Sequence, residues 1–174
     1  MSARIVRIAL LVTLVLVLAG CSQSGTGIKI DTPSSSQKEP TVGPTPVSMG
    51  TRAWSGDWSV LVTRSRRKGT VAGIPAGKGN QLLVLDFEIH NGSTLNGDVS
   101  ASSFALTDET RAEIGSVLVQ DHKYVSNNPI AVSGGTKRLF TIVYRVPRNA
   151  GPFVWRFWPS VQGSQPEPAV LAVR

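Results

Sequence analysis

Residues 82–90 read Leu-Leu-Val-Leu-Asp-Phe-Glu-Ile-His, and this stretch decides the fold. Side chains along a β-strand alternate between the two faces of a sheet. The sequence separates into a wholly apolar set, Leu83, Leu85, Phe87 and Ile89, and a mostly polar set, Val84, Asp86, Glu88 and His90. Alternation of this kind predicts a half-buried strand, Leu82 to Ile89, near the centre of a sheet.

The rest of the sequence C-terminal to residue 50 repeats the strand pattern. Residues 139–146 alternate in the same way and form a second predicted central strand. Five shorter runs lie between turns rich in Gly, Asn, Pro and Ser: Trp58 to Thr63, Ser103 to Thr107, Ser116 to Gln120, Phe153 to Trp158 and Ala169 to Val173. Because no convincing helical stripe is present, residues 51–174 are predicted to be all-β. About seven short strands favour an Ig-like antiparallel β-sandwich over a small closed barrel.

The order of strands and turns also resembles a known domain family. The matching elements are Gly79-Asn80, the strand Leu82 to Ile89, Asn91-Gly92-Ser93, Ser103 to Asp108, Gly134-Gly135, the strand Leu139 to Val146, and Pro147. Over Trp58 to Pro159 they resemble the telokin-like Ig-fold domains of many bacterial lipoproteins and of secreted mycobacterial immunogenic antigens. The chain departs from that pattern at Glu109-Thr110-Arg111, where members often have a glycine. The resemblance implies an Ig-like fold and supplies no catalytic motif, since most members have no established activity.

The N-terminal segment has the features of a bacterial lipoprotein signal peptide. Arg4 and Arg7 precede an apolar stretch, residues 8–20, which is too short to span a bilayer stably as a helix. It ends at Leu18-Ala19-Gly20-Cys21, which resembles a lipobox. The resemblance implies cleavage after residue 20 and a diacylglyceryl group on the sulfur of Cys21. The alternatives are an ordinary secretory signal with a chance cysteine, or a buried structural thiol.

Residues 21–50 are predicted to be the lipidated cysteine and a disordered tether. The segment is rich in Ser, Thr, Pro and Gly and contains Pro33, Pro40, Pro44 and Pro46. Such a composition does not bury enough apolar surface to form a packed core. A random coil of this length reaches roughly 30 Å. The expected location is therefore the cell membrane, lipid-anchored and facing outside the cytoplasm, either extracellular or periplasmic.

Charge and composition narrow the classes of function. The chain has 18 Lys and Arg against 11 Asp and Glu, and in residues 51–174 the counts are 14 and 9, a net charge of +5. This excess favours anionic surroundings such as headgroups or cell-wall polymers, and an exported chain is not expected to meet nucleic acid. The single cysteine permits no intramolecular disulfide. With only His90 and His122 available near neutral pH, no enzyme activity and no cofactor are predicted.

The densest run of charge is the candidate binding site. Arg64, Arg66, Arg67 and Lys68 precede Gly69 and the glycine-rich stretch Gly73 to Gly79. One interpretation is an anion-binding loop for headgroups, phosphates or an acidic partner. The other is a solvent-exposed hairpin end whose charges discourage edge pairing.

Two weaker candidates remain. Asp86, Glu88 and His90 share a strand face and could bind a divalent cation, although residues i and i+4 lie roughly 13 Å apart on a strand. Their ordinary interpretation is a solvated outer face. Among the tryptophans, Trp58 and Trp155 are predicted to lie in the core. Trp54 and Trp158, if exposed, could form an aromatic platform for sugar or peptide.

The sequence therefore predicts a membrane-anchored, non-enzymatic Ig-like module. Its expected partners are the membrane, through the lipid on Cys21, and an envelope protein or anionic polymer. An envelope enzyme or metal-binding accessory that uses Asp86, Glu88 and His90 is the first alternative. A structural spacer is the second.

Overall fold

The computed structural model describes residues 44–161 and 166–174, and nearly all of its regular structure is β-strand. A single 3₁₀ turn, Ala101–Ser103, is the exception. The strands are β1 (Val47–Ser48), β2 (Ala53–Ser55), β3 (Trp58–Lys68), β4 (Thr70–Val71), β5 (Ile74–Pro75), β6 (Asn80–Asn91), β7 (Gly97–Val99), β8 (Phe104–Thr107), β9 (Glu113–Ile114), β10 (Ile130–Val132), β11 (Lys137–Pro147), β12 (Phe153–Phe157) and β13 (Ala169–Val173).

Two main sheets form a β-sandwich, which confirms the predicted fold class. One sheet has four strands in the order β11-β6-β3-β2, and the other has five in the order β1-β13-β12-β8-β9. Two small two-stranded sheets, β10-β7 and β4-β5, complete the set. The inward-facing residues of both main sheets form one apolar core, because alternation places every second side chain of each strand between the sheets.

Aromatic side chains occupy the middle of this core. Phe87 of the four-stranded sheet lies edge-on to Trp155 of the other sheet, with ring centroids 5.0 Å apart. The Trp155 indole Nε1 donates a 2.9 Å hydrogen bond to the hydroxyl of Tyr144, which also joins the two sheets. Burial raises the pKa of the Tyr144 hydroxyl far above its ordinary value. Trp58 and Trp155 are both buried, as predicted.

The two predicted central strands have different positions. The strand predicted over Leu82 to Ile89 lies within β6, between β3 and β11, so its central position is confirmed. β11 contains residues 139–146 and pairs with β6 along its whole length, with Phe140 opposite Phe87, but it is an edge strand of this sheet. The chain near 116–125 lies against that edge, where Val117 N and Val125 N donate hydrogen bonds to carbonyls of β11.

The Asn91-Gly92-Ser93 turn that follows β6 has a structural role. The Asn91 side chain is fully buried, and its amide nitrogen donates hydrogen bonds to the carbonyls of Leu95 and Val132, at 2.8 and 3.0 Å. A Cβ on Gly92 would lie 2.7 Å from the carbonyl oxygen of Asp57, so a side chain does not fit there. The motif is therefore explained by close packing at the end of the strand.

Several predicted boundaries need correction. The described residues hold thirteen strands instead of about seven, because seven of them are only two or three residues long. Ser116 to Gln120 is not a strand, and only Ser116 forms an isolated bridge, to Tyr144. β1 lies inside the segment predicted as tether, pairs in parallel with β13, and places Val47 against the core. The sandwich thus begins before residue 51 and is not wholly antiparallel.

The predicted signal peptide 1–20, Cys21 and residues 22–43 of the predicted tether lie outside the described residues. Within the described ranges, no helix has the length and hydropathy needed to cross a bilayer.

Candidate functional site

The candidate site is the face of the four-stranded sheet that points away from the core, here called the outer face. Its two halves differ. The β4–β5 hairpin and the chain near 117–124 pack over Leu82, Val84 and Val143, forming a second, smaller apolar cluster. This is the covered half. Farther along β6 the outward residues are Asp86, Glu88 and His90, and the face there is the open half.

A β-bulge determines which members of the basic run reach the outer face. The register between β3 and β6 shifts between Val62 and Arg64, so that Arg64 is opposite Asp86. An extra residue in one strand reverses the alternation beyond it. Arg64, Arg66 and Lys68 consequently point outward, whereas without the shift they would point toward the core.

The run predicted as a loop is therefore the second half of a strand. Arg67, the fourth member, is opposite Leu83 of the core and lies on the inner side. Its guanidinium donates hydrogen bonds to the carbonyls of Arg148 and Ala150, at 3.2 and 2.8 Å, and lies 5.7 Å from the Phe153 ring centroid. The structure brings together three of the four predicted anion-binding residues, and it gives Arg67 a structural role.

Positive charge is concentrated on the outer face. Cross-strand partners share a face, and Arg52 is placed there by hydrogen bonds to Ser59 and Glu88. Against two acidic residues, Asp86 and Glu88, the face has six basic ones: Arg52, Arg64, Arg66, Lys68, Lys137 and Arg145. Its net charge is thus +4. The remaining residues of 44–174 include eight basic and seven acidic ones, a net charge of +1.

A cavity of about 330 Å³ opens beside the covered half of the outer face. Arg66 and Lys68 line it, together with Lys123 from the segment that covers β11. The carboxylate of Asp86 accepts hydrogen bonds from Arg66 and, at 2.9 Å, from the hydroxyl of Thr141. Arg66 Nε is buried and has no hydrogen-bond partner among the described residues.

Lys123 is a functional candidate that the sequence analysis missed. It is far from the basic run in sequence and belongs to a segment without regular strand structure, so no periodicity links the two. Its ammonium group lies 3.5 Å from the Asp121 carboxylate and 5.2 Å from the Tyr124 ring centroid. A backbone hydrogen bond from Lys123, with the charges of Lys123 and His122, lowers the pKa of Asp121.

The carboxylates proposed for the metal alternative are engaged with cations. Asp86 pairs with Arg66. Glu88 lies 2.6 Å from Arg52 and 3.5 Å from Lys137, and the hydrogen bond from Arg52 holds the pKa of Glu88 below its ordinary value. In the part of the chain that the structure describes, no group of three His, Cys, Asp or Glu side chains is arranged to hold a metal ion. The two carboxylates instead form ion pairs with basic side chains of the neighbouring strands and with Arg52.

The two remaining tryptophans lie in different settings. Trp54 is on edge strand β2 and is 60% exposed. Trp158 is half-buried and lines a cavity of about 390 Å³ with serines and prolines, including Ser103 and Pro168. Trp54 does not line that cavity. The two tryptophan rings therefore do not form one aromatic platform.

Comparison with known proteins shows the fold. No protein-family model matches the sequence, and no curated protein matches it significantly. The ycdA protein of Bacillus subtilis, provisionally described as a lipoprotein, matches with a TM-score of 0.59 and 10% identity, covering 70% of this chain and 38% of that one. This chain therefore spans well under half the length of ycdA. The yjhA protein of Bacillus subtilis matches with a TM-score of 0.56 and 12% identity, covering 74% and 99%.

A secreted protein of Mycobacterium tuberculosis, MPT63, is a more distant match. Its TM-score is 0.47 at 13% identity, with 74% of this chain and 98% of that one covered. At such low identities the likenesses to ycdA and yjhA show a shared fold alone.

Proposed function

We propose that this chain is a lipid-anchored, extracytoplasmic module with a telokin-like Ig fold, which binds an anionic component of the cell envelope through its outer face. Cys21 is the proposed lipid acceptor, and the β-sandwich is the binding domain. In this proposal the domain holds its partner and catalyses no reaction.

The concentration of positive charge on the outer face carries the proposal. Six basic side chains on one sheet face produce a local potential that favours anions, whereas an even distribution of the same charge would not. The bulge after Val62 supports a binding role, since it directs to the outer face three basic side chains that would otherwise point to the inner side. Arg66, Lys68 and Lys123 also line one cavity, which concentrates positive charge at a single concave site.

The lipid anchor is supported by the signal-peptide pattern and by the position of Cys21. Cys21 is the only cysteine of the chain, and it directly follows the apolar segment. A diacylglyceryl group with a further acyl chain gives durable attachment, because each buried CH₂ contributes about 0.8 kcal/mol.

Metabolic labelling in the native host tests the anchor. The full precursor is expressed in cells fed with labelled palmitate, in parallel with a Cys21→Ala variant. The wild-type chain is expected to carry the label and to stay with the membrane fraction, and the variant to lose both. A Cys21→Ala chain that still incorporates palmitate would refute the anchor.

Photo-crosslinking in the same cells tests the binding surface. A photoreactive residue is placed at Arg64 of the outer face or, as a control, at Lys78, which lies in the turn before β6. The proposal expects a discrete crosslinked product from position 64 and none of the same mass from position 78. Identical products from both positions would show that the outer face does not select the partner.

A further inference from the structure

Two large apolar side chains stand exposed at opposite edges of the outer face. Trp54 on β2 is 60% exposed, and Leu139 on β11 is 72% exposed. Three strand spacings separate these strands, so the side chains lie roughly 14 Å apart across the sheet. Leu61, half-buried on β3, lies between them.

Cationic groups fill the space between these apolar edges. Arg52 and Lys137 both approach Glu88, and one carboxylate neutralises only one of the two. Arg64 lies in the neighbouring row, opposite Asp86. The open half therefore combines exposed Trp and Leu side chains with excess positive charge. Tryptophan is favoured at a bilayer interface because its ring is apolar and its N–H is polar.

We infer that the open half of the outer face docks onto the anionic phospholipid headgroups of the membrane to which the chain is anchored. Trp54 and Leu139 enter the interface, and Arg52, Arg64 and Lys137 contact the phosphates. This inference rests on the proposed function and names the anionic partner of the open half. Exposed apolar side chains distinguish a bilayer from a soluble polyanion, which offers charge but no apolar interior.

The length of the chain between Cys21 and the domain supports the membrane as the partner of the open half. Twenty-two residues separate Cys21 from Pro44, and they span at most about 75 Å when fully extended. Trp54 follows only ten residues after Pro44. An anchor at that distance keeps the domain at a high effective concentration near the bilayer, so that a contact that is weak in solution becomes populated.

Vesicle binding by the unacylated mature chain, residues 21–174 with Cys21→Ser, tests the inference. Sedimentation is measured with vesicles of phosphatidylcholine alone and of phosphatidylcholine mixed with phosphatidylglycerol. We expect binding to the anionic vesicles only, accompanied by a blue shift of tryptophan emission that Trp54→Phe abolishes. Binding is expected to fall roughly fivefold for each of Arg64→Gln and Lys137→Gln.

A matched apolar variant supplies the control. Leu139→Ser is expected to weaken vesicle binding several-fold, whereas Leu95→Ser, at a side chain that is 68% exposed in the loop before β7, should leave it unchanged. Both positions are exposed, so circular dichroism should report the same fold for both variants. Equal effects of the two substitutions, or equal binding to neutral vesicles, would overturn the inference.

A second probe separates this inference from the proposed function. If the chain binds soluble inorganic polyphosphate through Arg64 and Lys68 but does not sediment with anionic vesicles, the docking inference is wrong and the binding role stands. If it binds neither probe, both are wrong.

Discussion

The inner and outer faces of the four-stranded sheet are built by the same strands but serve different ends. Along the inner face, every strand contributes apolar side chains to one continuous core against the second sheet. On the outer face, the covered half holds a small apolar cluster under a hairpin and a loop, and the open half holds ion pairs and exposed cations. The inner face provides stability through a sheet-on-sheet contact, and in our proposal the outer face presents its excess cations to an anionic partner.

The largest expected loss of stability comes from substituting Leu82 or Leu83, two adjacent residues whose side chains point to opposite faces of the sheet. Leu82 and Leu83 are both fully buried, but Leu82 belongs to the outer cluster and Leu83 to the core between the sheets. Leu83→Ala is expected to lower the free energy of unfolding by about 4 kcal/mol, and Leu82→Ala by about 2 kcal/mol, because a loop can relax into the cavity more readily than a sheet. Urea unfolding measures both. Equal losses would show that the covered half is as rigid as the core.

An intermediate effect is expected at the hydrogen bond between Trp155 and Tyr144. Tyr144→Phe removes the acceptor and leaves the indole N–H buried without a partner, which costs about 1–3 kcal/mol. Tyr124→Phe, in the segment that covers β11, is the control and should change the free energy of unfolding by much less. If the two variants lose the same stability, the bridge between the sheets contributes nothing specific.

The smallest expected effect lies in the ion pairs of the outer face. The pKa of Glu88 is lowered, chiefly by the hydrogen bond from Arg52, so its stabilisation is complete above the ordinary value of 4.5 and is lost as the pH falls through the lower folded-state pKa. Glu88→Gln should cost less than about 1 kcal/mol at neutral pH, since both partners are partly exposed.

Unfolding at a series of pH values checks the sign of that effect. The difference between wild type and Glu88→Gln should shrink as the solution is acidified below pH 4.5. The exposed Glu109→Gln variant should track the wild type throughout. A difference that grows on acidification would contradict the assignment of the ion pair.

The fold was predictable where periodicity is strong. Alternation over 82–90 predicted a half-buried central strand, and the two buried tryptophans were expected in the core. The same stretch also indicates the covered half. Among the residues that alternate outward, Leu82 and Val84 are apolar, and polar residues begin only at Asp86. Short edge strands such as β1 were missed because two residues produce no periodicity, and their pairing depends on a distant strand.

The candidate site was only partly predictable. The basic run is evident in the sequence, but its division between two faces depends on the bulge after Val62, and a single inserted residue in a strand has no compositional signature. Lys123 joins Arg66 and Lys68 through the tertiary packing of a loop against β11. Charge segregation on one face likewise becomes visible only when strand register is known.

The central claim, that the outer face and not overall charge binds the anionic partner, is tested most directly by the affinity of the mature chain for inorganic polyphosphate at several salt concentrations. Two double variants lower the net charge equally: Arg64→Gln with Lys68→Gln on the outer face, and Lys78→Gln with Arg148→Gln outside it. We expect an affinity weaker by at least about fivefold and a reduced salt dependence for the first pair, and near wild-type binding for the second. Equal weakening by both pairs would show that overall charge, and not the outer face, determines binding.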